Sequence, residues 1–325
     1  MRGARVASPA SADNERRHFM EKFLKGKVAV VTGAGRGLGR CEAIALADAG
    51  VSVVVNDLGV EISGLGSSHE PADEVVAEIT ARGGKAVANY ESVADFDGAG
   101  RIIQQAIDTF GRLDILINNA GIIGADLLDE HTPEEFHRVV STHLFGSFNT
   151  CKHAVPHMRA QKYGRILNTV SNAWSYPTGL IGYAAAKGGI VSLTWALALE
   201  LQRDGITVNA IAPFGKTRGD EVGLAREIKK YEMGLMTKAL LNKTPVRPDP
   251  SYAMPAVMFL LTPEADDISG IVVRSGAGRI SRFSHPEETS VLWRDYEKDG
   301  AWTIDELRKI LPGTLFAGKK KAPHL

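Results

Sequence analysis

Cysteine is scarce in this sequence: two residues in 325, Cys41 and Cys151. Two thiols cannot build a disulfide framework, so the fold must rest on a hydrophobic core, and a reducing, cytoplasmic location is expected. Both lie in apolar, helix-like stretches, where a small buried thiol is the simplest reading. An excess of charge of one sign is also missing. Lys and Arg together number 38 and so do Asp and Glu, which points to neither nucleic acid nor an anionic membrane as the main partner. No apolar run approaches the roughly 20 residues of a membrane span. The first residues carry Arg2 and Arg5 but lack the apolar segment of a secretory leader. Solenoid-period repeats are absent. His153 and His157 are four apart, with His131 and His137 upstream, but no fitting Glu or Cys set joins them. A solvated face is expected there, and no metal.

What is present is alternation. Residues 1–24 read as a polar, disordered tail, with Met20, which opens "MEKFLKGKVAVVTGAG", as plausible a translation start as Met1. Short Val- and Ile-rich runs follow at 27–33, 51–57, 85–92, 113–121, 164–171, 206–213 and 270–278, each read as a strand. Helical segments separate them at 40–50, 71–84, 97–111, 132–158, 182–202 and 253–261. Thr132 and Pro133 suit a helix start, Gly50 and Gly83-Gly84 suit helix stops, and Pro156 is a candidate end or kink. Seven strands separated by helices predict an α/β, Rossmann-like, doubly wound parallel sheet in one domain over 25–280. Residues 281–325, with Pro286, two tryptophans and a capped helix starting near Thr303, form a distinct C-terminal extension ending in the polar "KKKAP".

Between the first strand and first helix stands "VTGAGRGLGR", with glycines at 33, 37 and 39 around Arg36 and Leu38. Phosphates are large and anionic; they need backbone N–H groups at a helix N-terminus with no side chain in the way. A glycine pattern is weak evidence alone, but strand–turn–helix is the context that gives it meaning. Asp57 ends the second strand, where a carboxylate accepts hydrogen bonds from the adenosine ribose and repels a 2′-phosphate. That favours NAD over NADP, while Arg36 is the counter-argument. "GVEISGLGSSHE" (59–70) is a Gly/Ser-rich loop expected over the adenosine end.

Thr32 to Gly39, Asn118-Asn119-Ala120-Gly121 and Tyr183-x-x-x-Lys187 together resemble the short-chain dehydrogenase/reductase family over roughly residues 25–280. "VVVNDLG", "ADEVVAEI", "RGGKAVANYESV" and "THLFGSF" further resemble the (3R)-hydroxyacyl-CoA dehydrogenase modules of peroxisomal multifunctional β-oxidation enzymes. The length leaves room for the dehydrogenase part alone. The resemblance implies that Gly33, Arg36, Gly37, Leu38, Gly39 and Gly121 line the dinucleotide, that Asn119, Ser92 and Val93 border its adenine and ribose, and that Thr217 meets the nicotinamide end.

Reducing a ketone by hydride places charge on the carbonyl oxygen, which must receive a proton. A tyrosine holds its proton at neutral pH, with an ordinary pKa of about 10, and a nearby ammonium favours its phenolate. Lys187 follows Tyr183 by one helical turn, on the same face, and could also bond the nicotinamide ribose. Ser171, twelve residues before Tyr183, would donate to the substrate oxygen. The family usually has one residue more in that interval; Ser175 is the rival, placed closer to the tyrosine. His143 stands where most members carry an asparagine that holds a relay water, as a packed structural residue or as a proton shuttle. The expected activity is interconversion of a secondary alcohol and a ketone with NAD. The substrate is a 3-hydroxyacyl-CoA or another alcohol or hydroxysteroid; a non-catalytic NAD sensor or scaffold is the alternative of another class. By family analogy the chain forms a homodimer or homotetramer.

Overall fold

The computed structural model describes residues 23–124, 127–176, 180–216, 227–234, 237–238, 247–276, 278–315 and 317. Thr217 and the first 22 residues, including Met20, lie outside this set. One sheet organises the chain, in the order β3-β2-β1-β4-β5-β6-β7-β8. Its strands are β1 (Val28–Thr32), β2 (Ser52–Asn56), β3 (Lys85–Asn89), β4 (Ile115–Asn118), β5 (Gly164–Thr169), β6 (Ile206–Pro213), β7 (Val272–Gly276) and β8 (Arg279–Phe283). The first seven pair in parallel, as expected. β8 corrects the strand count to eight: it turns back antiparallel on β7, with Val272 opposite Phe283.

Alternation along β1 shows why the sheet is covered on both faces. Ala29 and Val31 join one core with α1 (Gly37–Asp48), α2 (Glu70–Ala81) and α7 (Met254–Leu260). Val28 and Val30 point the other way, against α3 (Phe96–Phe110), α5 (Gly146–Gln161) and α6 (Ile181–Leu201). Side chains in a strand face opposite sides in turn, so a strand buried on both faces reads as an unbroken apolar run. The remaining helices are α4 (Pro133–Val140), α8 (Tyr296–Asp299) and α9 (Ile304–Ile310).

Local signals set several boundaries. Asp95 caps α3 by accepting from Gly98 N, and Gly111 closes it in the left-handed region at φ 79°. Thr132 Oγ1 accepts from Glu135 N at 3.2 Å to start α4. Thr303 and Glu306 form a reciprocal capping box on α9. The helix expected over 132–158 is really α4, a π-helical turn at Ser141–Phe145, and α5, which continues through Pro156 to Gln161. A π turn places one extra residue in the helix and often marks a functional position; here it holds His143.

Two further expectations need correction. α6 with its following turn, Ile181–Asp204, is long and apolar enough by composition to cross a membrane. In this fold its apolar length is used against the sheet: Ile190, Val191, Ala198 and Leu201 are buried in the cores, and it faces β6. His131 is not on a solvated face; both its ring nitrogens are shut off from solvent with no partner among the described residues, and the ring meets Phe136 edge-on at 6.0 Å.

Candidate active site

The strand order reverses between β1 and β4, and in open α/β sheets the ligand crevice opens at the carboxyl ends of the strands at that point. A cleft of about 670 Å³ lies there. Its floor is tied together by polar side chains at the strand ends. Thr32 Oγ1 accepts from Asn119 N and Ala120 N, both at 3.1 Å. Asn118 bridges β4 to β5 through Asn168 at 2.9 Å, and accepts from Thr150 Oγ1 at 2.6 Å. These buried bonds fix where the strands end, and hence where the cleft begins.

The glycine turn forms one wall. Gly33 and Gly37 take left-handed φ values of 63° and 54°, which side chains disfavour. Gly33, Arg36, Gly37 and Leu38 all line the cleft. Gly39 does not, and its role is packing: a Cβ there would meet the Gly33 carbonyl oxygen at 2.3 Å. Helix α1 has no side-chain cap and no acidic residue in its first turn. A helix start of this kind suits an anion, and Gly37 and Leu38 of its first turn line the cleft. Asn119 lines the cleft too, but its amide is engaged in holding the turn, donating to the Thr32 and Gly33 carbonyls at 3.0 Å each.

Asp57 borders the same wall. Its carboxylate accepts from Gly35 N and Gly59 N, both at 2.7 Å, so its charge is fixed beside the glycine turn. Arg36 is turned toward the Val60 carbonyl at 3.4 Å. The loop that follows Asp57 reaches beyond the expected adenosine end. Ile123 N donates to Ile62 O at 2.9 Å, and Arg138 Nε to Ser63 O at 3.0 Å, so the loop straps across to the β4 side. Ser92, Val93 and Gly121 line the cleft as expected. Glu91, which the sequence did not single out, joins them and is paired with Arg101 at 2.8 Å.

Ser171, Tyr183, Lys187 and His143 converge on the opposite wall. Ser171 leaves β5 in extended conformation and its Oγ accepts from Ala173 N at 3.3 Å, starting a 3₁₀ turn over Asn172–Trp174. Ser171 and Tyr183 both line this wall of the cleft. Ser175, the rival, is outside the cleft lining and donates to Asn172 O at 3.3 Å. Burial pushes the Tyr183 phenol above its ordinary value, while the Ser171 hydroxyl and the Arg247 guanidinium act in the opposite direction. Lys187 is buried, donates to Thr169 O at 2.5 Å, and lies 5.5 Å from the centre of the Tyr183 ring. Burial lowers its ammonium to about 7. The Arg247 guanidinium, which no sequence spacing announced, thus joins Lys187 at this wall of the cleft.

His143 is buried at the π turn and meets Tyr183 edge-on at 5.1 Å. Its Nε2 is 2.7 Å from the Ile122 carbonyl and its Nδ1 has no partner. Burial and the nearby Lys187 charge hold the ring down at about 3. It is therefore a neutral, packed imidazole. Its contacts are the Tyr183 ring and the Ile122 backbone.

Tyr183, Ser171, the buried Lys187, the start of α1 and Asp57 thus share one cleft. The family description "short chain dehydrogenase" matches residues 27–219. A short chain dehydrogenase from Mycobacterium avium of known structure superposes with a TM-score of 0.75 at 36% identity, covering 93% of this chain and 98% of that one. Peroxisomal multifunctional enzyme type 2 of Mus musculus is 39% identical over 79% of this chain, which spans only 32% of that enzyme. A hydroxyacyl-CoA dehydrogenase of Mycobacterium tuberculosis is 34% identical over 91% of this chain and 90% of its own length. The chain is an oxidoreductase and belongs to the short chain dehydrogenase family.

Proposed function

We propose that the protein is an NAD-dependent dehydrogenase interconverting a secondary alcohol and a ketone, with a 3-hydroxyacyl thioester of CoA as substrate. The observation that carries this reading is the convergence of Ser171 and Tyr183 on the cleft that also holds Asp57 and the uncapped N-terminus of α1. The residues fit a dinucleotide: Gly37 leaves open space where a Cβ would stand, beside free N–H groups. A nicotinamide dinucleotide, when bound, supplies or takes up the hydride. Gly33, Gly37 and the first turn of α1 would hold its pyrophosphate, Asp57 its adenosine ribose and Lys187 its nicotinamide ribose. Tyr183 passes its phenolic proton to the substrate oxygen in reduction and recovers it in oxidation. Ser171 donates a hydrogen bond to that oxygen and steadies its developing charge. His143, neutral and edge-on to Tyr183, keeps the phenol in place.

Asp57 supports NAD, because a fixed carboxylate opposes a 2′-phosphate. The acyl-CoA preference rests on the named relative and on the basic groups lining the cleft, Arg138, Lys230 and Arg247, which suit phosphates. A homodimer or homotetramer belongs to the same proposal, supported by the exposed Phe145 and Phe148 around the start of α5.

Equilibrium titration with NADH and NADPH, followed by a panel of 3-hydroxyacyl-CoA esters, free secondary alcohols and hydroxysteroids, tests it. Tighter NADH binding and turnover confined to the thioesters are expected. NADPH preference would contradict the role of Asp57. Turnover of free alcohols or steroids alone would contradict the acyl-CoA assignment. NADH binding without turnover of any alcohol or ketone would favour a sensor.

A further inference from the structure

Tyr183 and Lys187 are held by their own long helix, whereas Ser171 starts a single 3₁₀ turn. What fixes that turn comes from far along the chain. With its amide oxygen turned to the guanidinium, Asn172 accepts from both terminal nitrogens of Arg274 at 3.2 Å each. Two N–H groups of one planar guanidinium converging on a single oxygen set direction as well as distance. Arg274 rises from β7, the strand next to β6, and its guanidinium also lies 5.6 Å from the centre of the Phe214 ring. Phe214 follows β6 directly, between Pro213 and Gly215, which line the cleft, and its N–H donates to Ser275 O at 2.8 Å. On its outer side the Ser171 turn is closed by Trp174, packed edge-on against Phe283 of β8 at 5.3 Å.

We infer that Arg274 is a positioning residue: it clasps the Ser171 turn, through Asn172, to the Phe214 segment of the cleft wall, and so sets the distance between the oxygen-holding hydroxyl and the nicotinamide end. It touches neither substrate nor cofactor. The inference rests on the dehydrogenase reading above. Because Ser171 and Tyr183 share the cleft wall and the serine hydroxyl acts to lower the phenol's pKa, a turn released from Arg274 also weakens that influence.

The test compares wild type with Asn172→Leu, Asn172→Asp, Arg274→Leu and the Leu/Leu double variant. Binding of NADH is read by fluorescence, turnover by NADH absorbance between pH 6 and 10, and folding by thermal melting. Asn172→Leu is expected to lower kcat about 10-fold and move the pH profile alkaline by about half a unit, with NADH affinity unchanged. Asn172→Asp keeps the acceptor and stays near wild type. Arg274→Leu adds about a 10-fold loss of NADH affinity through Phe214, and the double variant is no worse than Arg274→Leu, because residues acting as one unit are not additive. Losses in the double variant that multiply, or a fixed pH profile with only a lowered melting temperature, would overturn the role. If no substrate in the panel is turned over, the binding arm decides: equal NADH affinity in Arg274→Leu and Asn172→Leu overturns it. Wild-type protein binding neither dinucleotide would sink the dehydrogenase reading itself; wild-type binding with indistinguishable variants would sink only the clasp.

Discussion

At the residue scale, the chemistry follows from which charges face one another. Asp57 has both carboxylate oxygens fixed by backbone N–H groups beside the glycine turn. Asp57→Ser should therefore raise NADPH affinity relative to NADH by at least about 10-fold, since like-charge juxtaposition costs several kcal/mol; parallel titrations read the ratio. His143, held at about 3, is neutral throughout pH 5–9. His143→Asn should leave both limbs of the pH–rate profile in that range unmoved, whatever it does to kcat; a limb that shifts would restore the shuttle. Tyr183, Lys187 and Asp57 were legible in the sequence because their roles depend on short spacings within one helix or on the end of one strand. Arg247 and the pairing of Asn172 with Arg274 were not: the latter are 102 positions apart and meet only because β7 lies two strands from β5.

At the element scale, α1 joins cofactor binding to folding. Gly39 lets the helix close on the Gly33 carbonyl, and Gly39→Ala should destabilise the protein by about 1–3 kcal/mol, as overpacking does, with weakened NADH binding. One turn further on, Glu42 is fully buried and its carboxyl oxygens have no partner among the described residues. Burial raises it from 4.5 to about 8. The folded protein therefore holds a proton there that the unfolded chain has released, and stability falls as pH rises from about 4.5 to about 8. Glu42→Gln should match wild type at pH 4.5 and be more stable by a few kcal/mol at pH 9, read by chemical denaturation at the two pH values; an equal difference at both would exclude ionisation as the cause. The helix was legible from its glycines and its apolar spacing. The burial of a glutamate within it was not, because a carboxylate at that position would ordinarily mark the solvent face. The π turn was equally hidden, since the sequence 132–158 carries one continuous helical pattern.

At the scale of the whole molecule, the parallel strands were legible because most are buried on both faces and carry apolar runs, while the partly exposed edge strand β3 was legible from its place between two helical segments. The eighth was not. "RISRF" alternates charged and apolar residues and is mostly exposed at the sheet edge, so it reads as the start of an extension. Yet it supports the Ser171 turn, because Phe283 packs edge-on against Trp174 and the following His285 packs against Trp195, the two tryptophans themselves edge-on at 6.4 Å. Phe283→Ala should cost about 1–2 kcal/mol, the scale of an aromatic pair with its lost burial, measured by denaturant unfolding. Beyond this cluster, Val291, Trp293, Tyr296 and Ile304 remain exposed on the C-terminal segment.

The most direct measurement is NADH consumption on adding a 3-oxoacyl-CoA at pH 7, for wild type and Tyr183→Phe, with NADH affinity measured on both. The expected result is one NADH consumed per ketone by wild type, and a rate about 10³-fold lower in the variant at unchanged affinity, within the usual contribution of a general acid. A variant that consumes NADH as fast as wild type would contradict the assignment of the proton to Tyr183.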